Sequence, residues 1–340
     1  MIKPLFNYEW YLKNGYPQSL DNSVTPCDYK VFGTFINGGG STMGYKLAGF
    51  KHLGGVEIDE KTASCYKLNH NPKHLYIQDL REFNNRDDLP SELYDLDILD
   101  GSPPCTTFSL AGLRDKSQGI EKIFAEGNKK QTLDDLLFVY ADTINKLKPK
   151  VFIMENVAGL ATKNNALYVK EFANRLQDYT IQYFLLNGAN MRLPQTRERF
   201  FAIGHLRRYK LPKINLNFKG EIIPFGKVSD LSDTKQTIKQ RSLTLGYWKQ
   251  AKQGEKVGKF QSIKKLADNK PAPTLLASGS CYHSRIPRRL NQREFCLCGS
   301  YPLDYKFTGH LYNFYIGMSV PPIMIANIAY QIRLQWLDKL

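Results

Sequence analysis

From Tyr29 to Gly204 short apolar runs alternate with helical stretches, and this alternation limits the fold more than any other feature of the chain. Candidate strands are Lys30–Phe35, Gly54–Ile58, Leu96–Leu99, Val151–Met154, Ile181–Leu186 and Phe200–Ile203. Between them lie the candidate helices Thr42–Gly49, Glu60–Asn69, Thr132–Lys146 and Asn164–Gln177. Strands separated by helices predict an α/β fold with a Rossmann-like, doubly wound parallel sheet. In such a sheet ligands gather at the carboxyl ends of the strands. With 340 residues the chain is long enough for one large domain and a smaller one.

Around Arg207 the texture changes. Pro212, Gly220, Pro224, Gly226, Gly246, Gly254 and Gly258 cut the chain into short pieces, and periodicity weakens. The charge sits here as well. Residues 205–295 carry 20 Lys+Arg against 6 Asp+Glu, which is +14 of the chain's total of +15. Dispersed lysines usually form only a solvated surface. A one-sign block gives such a surface nothing, whereas a face that binds a polyanion needs it. The sequence predicts a second, smaller, loop-rich basic domain. Regular structure returns at the end: Val320-Pro321-Pro322 reads as a helix start, and Ile325, Ile328, Ala329, Ile332 and Trp336 follow at helical spacing. This helix is expected to pack back on the first domain.

Six scattered cysteines do not make a disulfide framework, and Cys296-Leu297-Cys298 lacks the companions of a zinc site. No apolar stretch has membrane-spanning length, and the N-terminal segment does not read as a signal peptide. The expectation is a reducing, cytoplasmic compartment.

Four segments carry chemistry. In Asp95 to Ser109 an apolar run with alternating acids ends in Gly101-Ser102-Pro103-Pro104-Cys105. Two prolines stiffen the loop and hold a thiol at a strand's carboxyl end, where an α/β enzyme places a nucleophile. Taken alone, a lone cysteine is more commonly a small core residue. Glu155-Asn156-Val157 follows a second apolar strand. Gln195-Thr196-Arg197-Glu198-Arg199 leads into a third, and Arg288-Arg289-Leu290-Asn291-Gln292-Arg293-Glu294 opens a helix-like run. Upstream, Phe35 to Gly44 forms a glycine-rich turn after the first strand, suited equally to a dinucleotide or a flexible loop. Glu57 closes the second strand, where an acid accepts from ribose hydroxyls or simply faces solvent.

PCxxFS, ENV, QxRxR and RRLxxRE, in that order, resemble the cytosine-C5 DNA methyltransferase family, over roughly Tyr29 to Gly204 and Lys270 to the C-terminus. The resemblance implies an S-adenosylmethionine-dependent methyltransferase sheet, with S-adenosyl-L-methionine as cofactor. It implies that Cys105 adds to C6 of a flipped cytosine and that Glu155 acts at N3. Arg199 would stand at the carbonyl oxygen, with Asn156 and Arg197 as supporting holders and Gln195 ordering the strand entrance. It places the methionine end on Phe35, Gly38, Gly39 and Gly40, the ribose on Glu57 and the adenine on Ile58 and Asp79. Pro103 and Ser319 complete that set. Two positions depart from the family pattern: Asn37 stands where FxGxGG has its first glycine, and Met318 where GNSV has asparagine. Asparagine tolerates a left-handed backbone, so the turn is expected to survive.

The resemblance implies domains at 1–28 (an extension of unknown role, by default a packing arm), 29–205 (catalytic), 206–285 (target recognition) and 286–340 (a return segment). It implies a basic lid over Thr106 to Lys130, which lacks the family's RGxLF element. The expected partner is double-stranded DNA, with a cognate restriction endonuclease acting on the same site, no membrane contact and a monomeric state. An RNA cytosine-C5 methyltransferase is the alternative, although such enzymes usually take the nucleophile from a cysteine where this chain has Glu155-Asn156. A non-catalytic DNA-binding relative is the other.

Overall fold

The computed structural model describes residues 24–104, 135–235, 237–258, 263–279 and 281–340, together with the backbone of Lys122–Phe124 and Gly127–Gln131. Its centre is a seven-stranded sheet: β1 (Lys30–Thr34), β2 (Lys51–Glu57), β3 (His74–Ile77), β4 (Ile98–Gly101), β5 (Val151–Val157), β6 (Tyr179–Asn187) and β7 (Glu198–Leu206). The order across the sheet is β3-β2-β1-β4-β5-β7-β6. Strands β3 to β5 are parallel, as the alternation predicts. β7 departs from that expectation, running antiparallel to both β5 and β6. Its connection from β6, residues 188–197, is too short to hold a crossover helix, so the chain turns straight back.

The helices are α1 (Gly40–Leu47), α2 (Glu60–His70), α3 (Leu80–Asn84), α4 (Leu136–Leu147), α5 (Ala166–Arg175), α6 (Leu243–Gln250), α7 (Gln292–Cys298), α8 (Tyr312–Met318) and α9 (Pro322–Gln335). Asp59 caps α2 by accepting from the Thr62 amide, and Asn71 ends it at φ 43°. α4 and α5 cover one face of the sheet, with Tyr140, Phe152, Phe172 and Tyr179 buried between them and the strands. α1 and α9 cover the other. Gly44 lies so close to the Pro322 carbonyl and Ile325 that a β-carbon there would meet both within 2.6 Å. The C-terminal helix thus packs back on the first helix, and the two ends of the sequence close one core. Val24 joins that core, and Arg333 Nη1 donates to the Thr25 carbonyl at 2.6 Å. The end of the proposed packing arm is therefore held, while residues 1–23 lie outside the described residues.

The strand His74–Ile77 and helices α3, α6 and α8 have no counterpart among the elements expected from sequence. Between Leu206 and Asn291 the described regular structure is sparse: α6, short 3-10 turns and two-residue strands. The helix expected to open at Arg288 starts instead at Gln292. Asn291, extended at φ −80° and ψ 173°, forms a capping box with Glu294, and this sets the start.

Candidate active site

Glu155 and Arg199 meet at the carboxyl end of β5. Phe201 on β7 pairs with Glu155 and Arg199 with Val157, so both side chains leave the same face of the sheet. Arg199 Nε lies 2.9 Å from Glu155 Oε1, with both side chains almost wholly buried. Burial pushes the Glu155 carboxyl up, while Arg199, Arg197 and a hydrogen bond from Ser102 pull it back; burial prevails. A carboxyl whose pKa burial raises, set beside a guanidinium, is suited to giving a proton to a ring nitrogen.

The neighbouring strand end supplies the second half of the site. β4 pairs with β5 in parallel register, and the chain then passes through Ser102, Pro103 and Pro104. Asn156 Nδ2 donates to the Pro103 carbonyl at 3.2 Å, and Asn156 Oδ1 accepts from the Val157 amide at 2.9 Å. Asn156 therefore tethers the proline loop to the strand carrying Glu155. Cys105 and the expected 106–130 lid lie outside the described residues, apart from the backbone of the antiparallel pair Lys122–Phe124 and Gly127–Gln131.

Arg197 does not share the place of Arg199. It is 1% exposed, and its guanidinium donates to the carbonyls of Leu275 at 3.0 Å, Gly317 at 2.9 Å and Ser319 at 2.8 Å. It cross-braces the end of the basic segment, the strand entrance and the C-terminal turn. Gln195 works beside it. Its Oε1 accepts from the Leu275 amide at 2.9 Å and its Nε2 donates to the Cys298 carbonyl at 3.0 Å.

The glycine turn keeps its shape without the expected glycine. Asn37 sits at φ 48° and its Oδ1 accepts from the Gly38 amide at 2.7 Å; Gly39 follows at φ 90° as the N-cap of α1. No side chain caps that helix. Glu57 accepts from the amides of Asn37 and Ile58, both at 2.9 Å, and of Asp59 at 3.1 Å, which fixes the turn against the end of β2. Ile58 is half-buried beside it. Asp79 caps α3, accepting from the Arg81 amide at 2.8 Å and pairing with its guanidinium at 3.1 Å. Ser319 is buried, accepts from Tyr301 Oη at 2.7 Å and lies 3.5 Å from Asn37 Nδ2. Met318 is 55% exposed, so the departure there faces solvent. Phe35, at φ 55°, starts the turn.

Reasoning from sequence missed Asp100, although the acid stands out in Leu96-Asp97-Ile98-Leu99-Asp100. It is 2% exposed and accepts from Tyr45 Oη at 2.9 Å. Burial pushes it up to about 7, against hydrogen bonds from Ser41 and Tyr45, and the Glu155 charge adds to the rise. Tyr301, Tyr305 and Tyr315, which surround the glycine turn, carry no sequence signal beyond being aromatic.

A mixed sheet with antiparallel β7, a glycine turn backed by an acid at the end of β2, and an acid–arginine pair at the next strand ends together define a Rossmann-like methyltransferase. The C-5 cytosine-specific DNA methylase model matches residues 29–334, and the chain belongs to that family. It is a DNA cytosine methyltransferase, and as such uses a methyl donor. The chain is 30% identical over 332 residues to the type II methyltransferase M.Sau96I of Staphylococcus aureus, covering 86% of this chain and 73% of that protein. It is 31% identical over 211 residues to M.HaeII of Haemophilus aegyptius, covering 61% and 57%. Among solved structures, a prophage-encoded DNA modification methyltransferase of E. coli shares the fold at a TM-score of 0.72 and 20% identity, over 92% of this chain and all of that one. The Spodoptera frugiperda DNMT2 mutant does so at 0.64 and 14%, over 90% and 99%. No helix among the described residues is long and apolar enough to cross a membrane.

Proposed function

We propose that the chain flips a target cytosine out of duplex DNA and methylates it at C5, with S-adenosyl-L-methionine as donor, and that it protects host DNA in a restriction–modification system. The observation that carries the chemistry is the buried Glu155–Arg199 pair beside the loop that leads into Cys105. C5 of cytosine is a weak nucleophile. Addition of the Cys105 thiolate to C6 breaks aromaticity and makes C5 enamine-like. As sulfur adds, Glu155 gives its proton to N3, and Arg199 donates to the carbonyl oxygen where negative charge develops. C5 would then take the methyl group, leaving the donor sulfur as a neutral thioether; loss of the C5 proton to a base expels the thiolate, and N3 returns its proton to Glu155. Flipping the base costs roughly a few kcal/mol.

The residues present suit the donor. It supplies a methyl group on a sulfonium sulfur. The uncapped N-terminus of α1 offers amides to a carboxylate, and Glu57 stands at the strand end where ribose hydroxyls would lie. Asp79 and Ile58 would flank the adenine, and Ser319 the amino-acid end. Residues 206–285 would read the target, their lysines on phosphates and a few side chains on base edges. A cognate endonuclease need not touch this protein, which we take to act as a monomer.

The test is covalent trapping. A duplex carrying 5-fluorocytosine at the target should hold the protein covalently once methyl is transferred, because fluorine does not leave as a proton does. Cys105→Ala should abolish trapping and turnover while DNA still binds. Methyl transfer surviving in Cys105→Ala would overturn the mechanism.

A further inference from the structure

We propose that His70 and Tyr305 are positioning residues that hold the glycine turn before α1 in its donor-binding shape. This deepens the reading above and rests on it. The Tyr305 hydroxyl donates to the Gly38 carbonyl, and the same oxygen lies 2.8 Å from His70 Nε2. A phenol has one proton. With that proton on Gly38, the oxygen accepts from His70, which assigns the ring hydrogen to Nε2. The chain of donors runs His70 to Tyr305 to the Gly38 carbonyl. Burial, reinforced by Lys46 and His52 against a hydrogen bond to the Gly39 backbone, pushes the imidazole well below its ordinary range, which favours the neutral ring whose single N–H this arrangement uses.

His70 is also the floor of the turn. Its ring packs on Tyr66 with centroids 4.8 Å apart. It lies so close to Gly39 that a β-carbon there would collide with Nε2. From the other side Tyr305 stacks edge-on against Tyr301, centroids 5.0 Å apart, and Tyr301 Oη would meet a Gly40 β-carbon at 2.5 Å. The turn needs such restraint. Phe35 and Asn37 both hold left-handed backbones, at φ 55° and 48°, which L side chains disfavour. Tyr305 fixes the Gly38 carbonyl toward the C-terminal segment and so sets how the first amides of α1 point. The pair is tied to the donor turn, so its loss should weaken donor binding and leave the bond-making step alone.

Donor affinity, measured by calorimetry with S-adenosylmethionine, should fall about five- to tenfold in Tyr305→Phe, as expected for one lost buried hydrogen bond. The rate at saturating donor should stay within about twofold. His70→Leu should weaken binding similarly, and His70→Gln, whose amide can replace the ring donor, should restore most of it. In the donor-free protein, hydrogen exchange at residues 38–44 should quicken in Tyr305→Phe. Unchanged affinity in Tyr305→Phe, or a lower rate at saturation with unchanged affinity, would overturn the proposal. If that variant fails to fold, equal weakening in His70→Leu and His70→Gln would overturn it. A wild-type protein that takes up no S-adenosylmethionine would overturn the donor reading itself; wild-type binding matched by Tyr305→Phe overturns only the positioning role.

Discussion

The catalytic sheet and the basic segment each bury a carboxyl group, and they treat it in opposite ways. In the sheet, Asp100 meets the hydroxyls of Tyr45 and Ser41, and burial lifts it to about 7. At the root of the basic segment, Glu294 accepts from Arg288 Nη1 at 2.6 Å and Nη2 at 2.9 Å, and from the amides of Asp230 and Asn291 at 2.9 and 3.0 Å. Burial alone pushes Glu294 up, but hydrogen bonds from His283, Arg288 and those amides bring it down to about 2. Arg288 also donates to the carbonyls of Asp230 and Asp233. The sheet is held by apolar packing and strand pairing. The basic segment, short of regular structure, has a small apolar cluster of its own around Trp248, gives Ile214, Leu216, Phe225, Val228 and Leu266 to the main core, and is rooted by an ionic network. A polar root with directional bonds adds to that apolar contact and fixes the orientation of a loop-rich segment.

If chemistry belongs to the sheet, the largest effect should come from Glu155→Gln. It keeps the side chain's shape but cannot deliver the proton, so methyl transfer should fall about 10²–10⁴-fold. Donor and DNA affinities should change little. An unchanged single-turnover rate would remove Glu155 from the chemistry.

Glu294→Gln should cost about 3–5 kcal/mol in urea unfolding at pH 7, because the buried Arg288 loses its hydrogen-bonded counterion and keeps only the longer contact to Asp233 Oδ2 at 3.7 Å. DNA affinity should suffer, while donor affinity should hold in whatever fraction remains folded. The pH signature has a sign. Glu294 is depressed, so its contribution is present above about 4.5 and is lost as pH falls toward 2. The variant should lack that acid-side loss.

Asp100→Asn should show the reverse. The native carboxyl is raised from 3.8 to about 7, so its stabilisation is full below 3.8 and is lost as pH rises through 7. Wild type should therefore lose on the order of 4 kcal/mol between those limits from this group, and the variant, still able to accept from Tyr45, should not. Parallel stability–pH curves for the two proteins would remove Asp100 as a titrating group.

The smallest effects should come from single exposed lysines of the basic segment, such as Lys249→Ala or Lys252→Ala. Each should weaken binding to all duplexes alike and lower the salt dependence by about 0.9 for every phosphate left without its cation. A lysine whose removal changed the preferred sequence would instead be reading base edges.

Much of the fold was legible because short apolar runs and intervening helices follow from period and length alone. β7's direction was not, since local pattern does not encode which way a strand runs; the short 188–197 connection does. β3 was missed because His74–Ile77 is only four residues and lacks a clear apolar face. At the site, ENV and QxRxR pointed to Glu155 and Arg199, which the fold brings within ion-pair distance. The same spacing offered Arg197 as a supporting holder, but only the fold shows that it reaches three carbonyls of distant segments.

By itself the sequence determined the family, the sheet-forming runs, the residue types of the acid–arginine pair and the place of the basic excess. These depend on local pattern and composition. Tertiary structure alone decided which buried acid is lifted and which is lowered, that Arg288 is an internal counterion and Arg197 a brace, and that His70 meets Tyr305 under the glycine turn. Those outcomes depend on burial and on partners separated by up to 235 residues, and no local pattern encodes either.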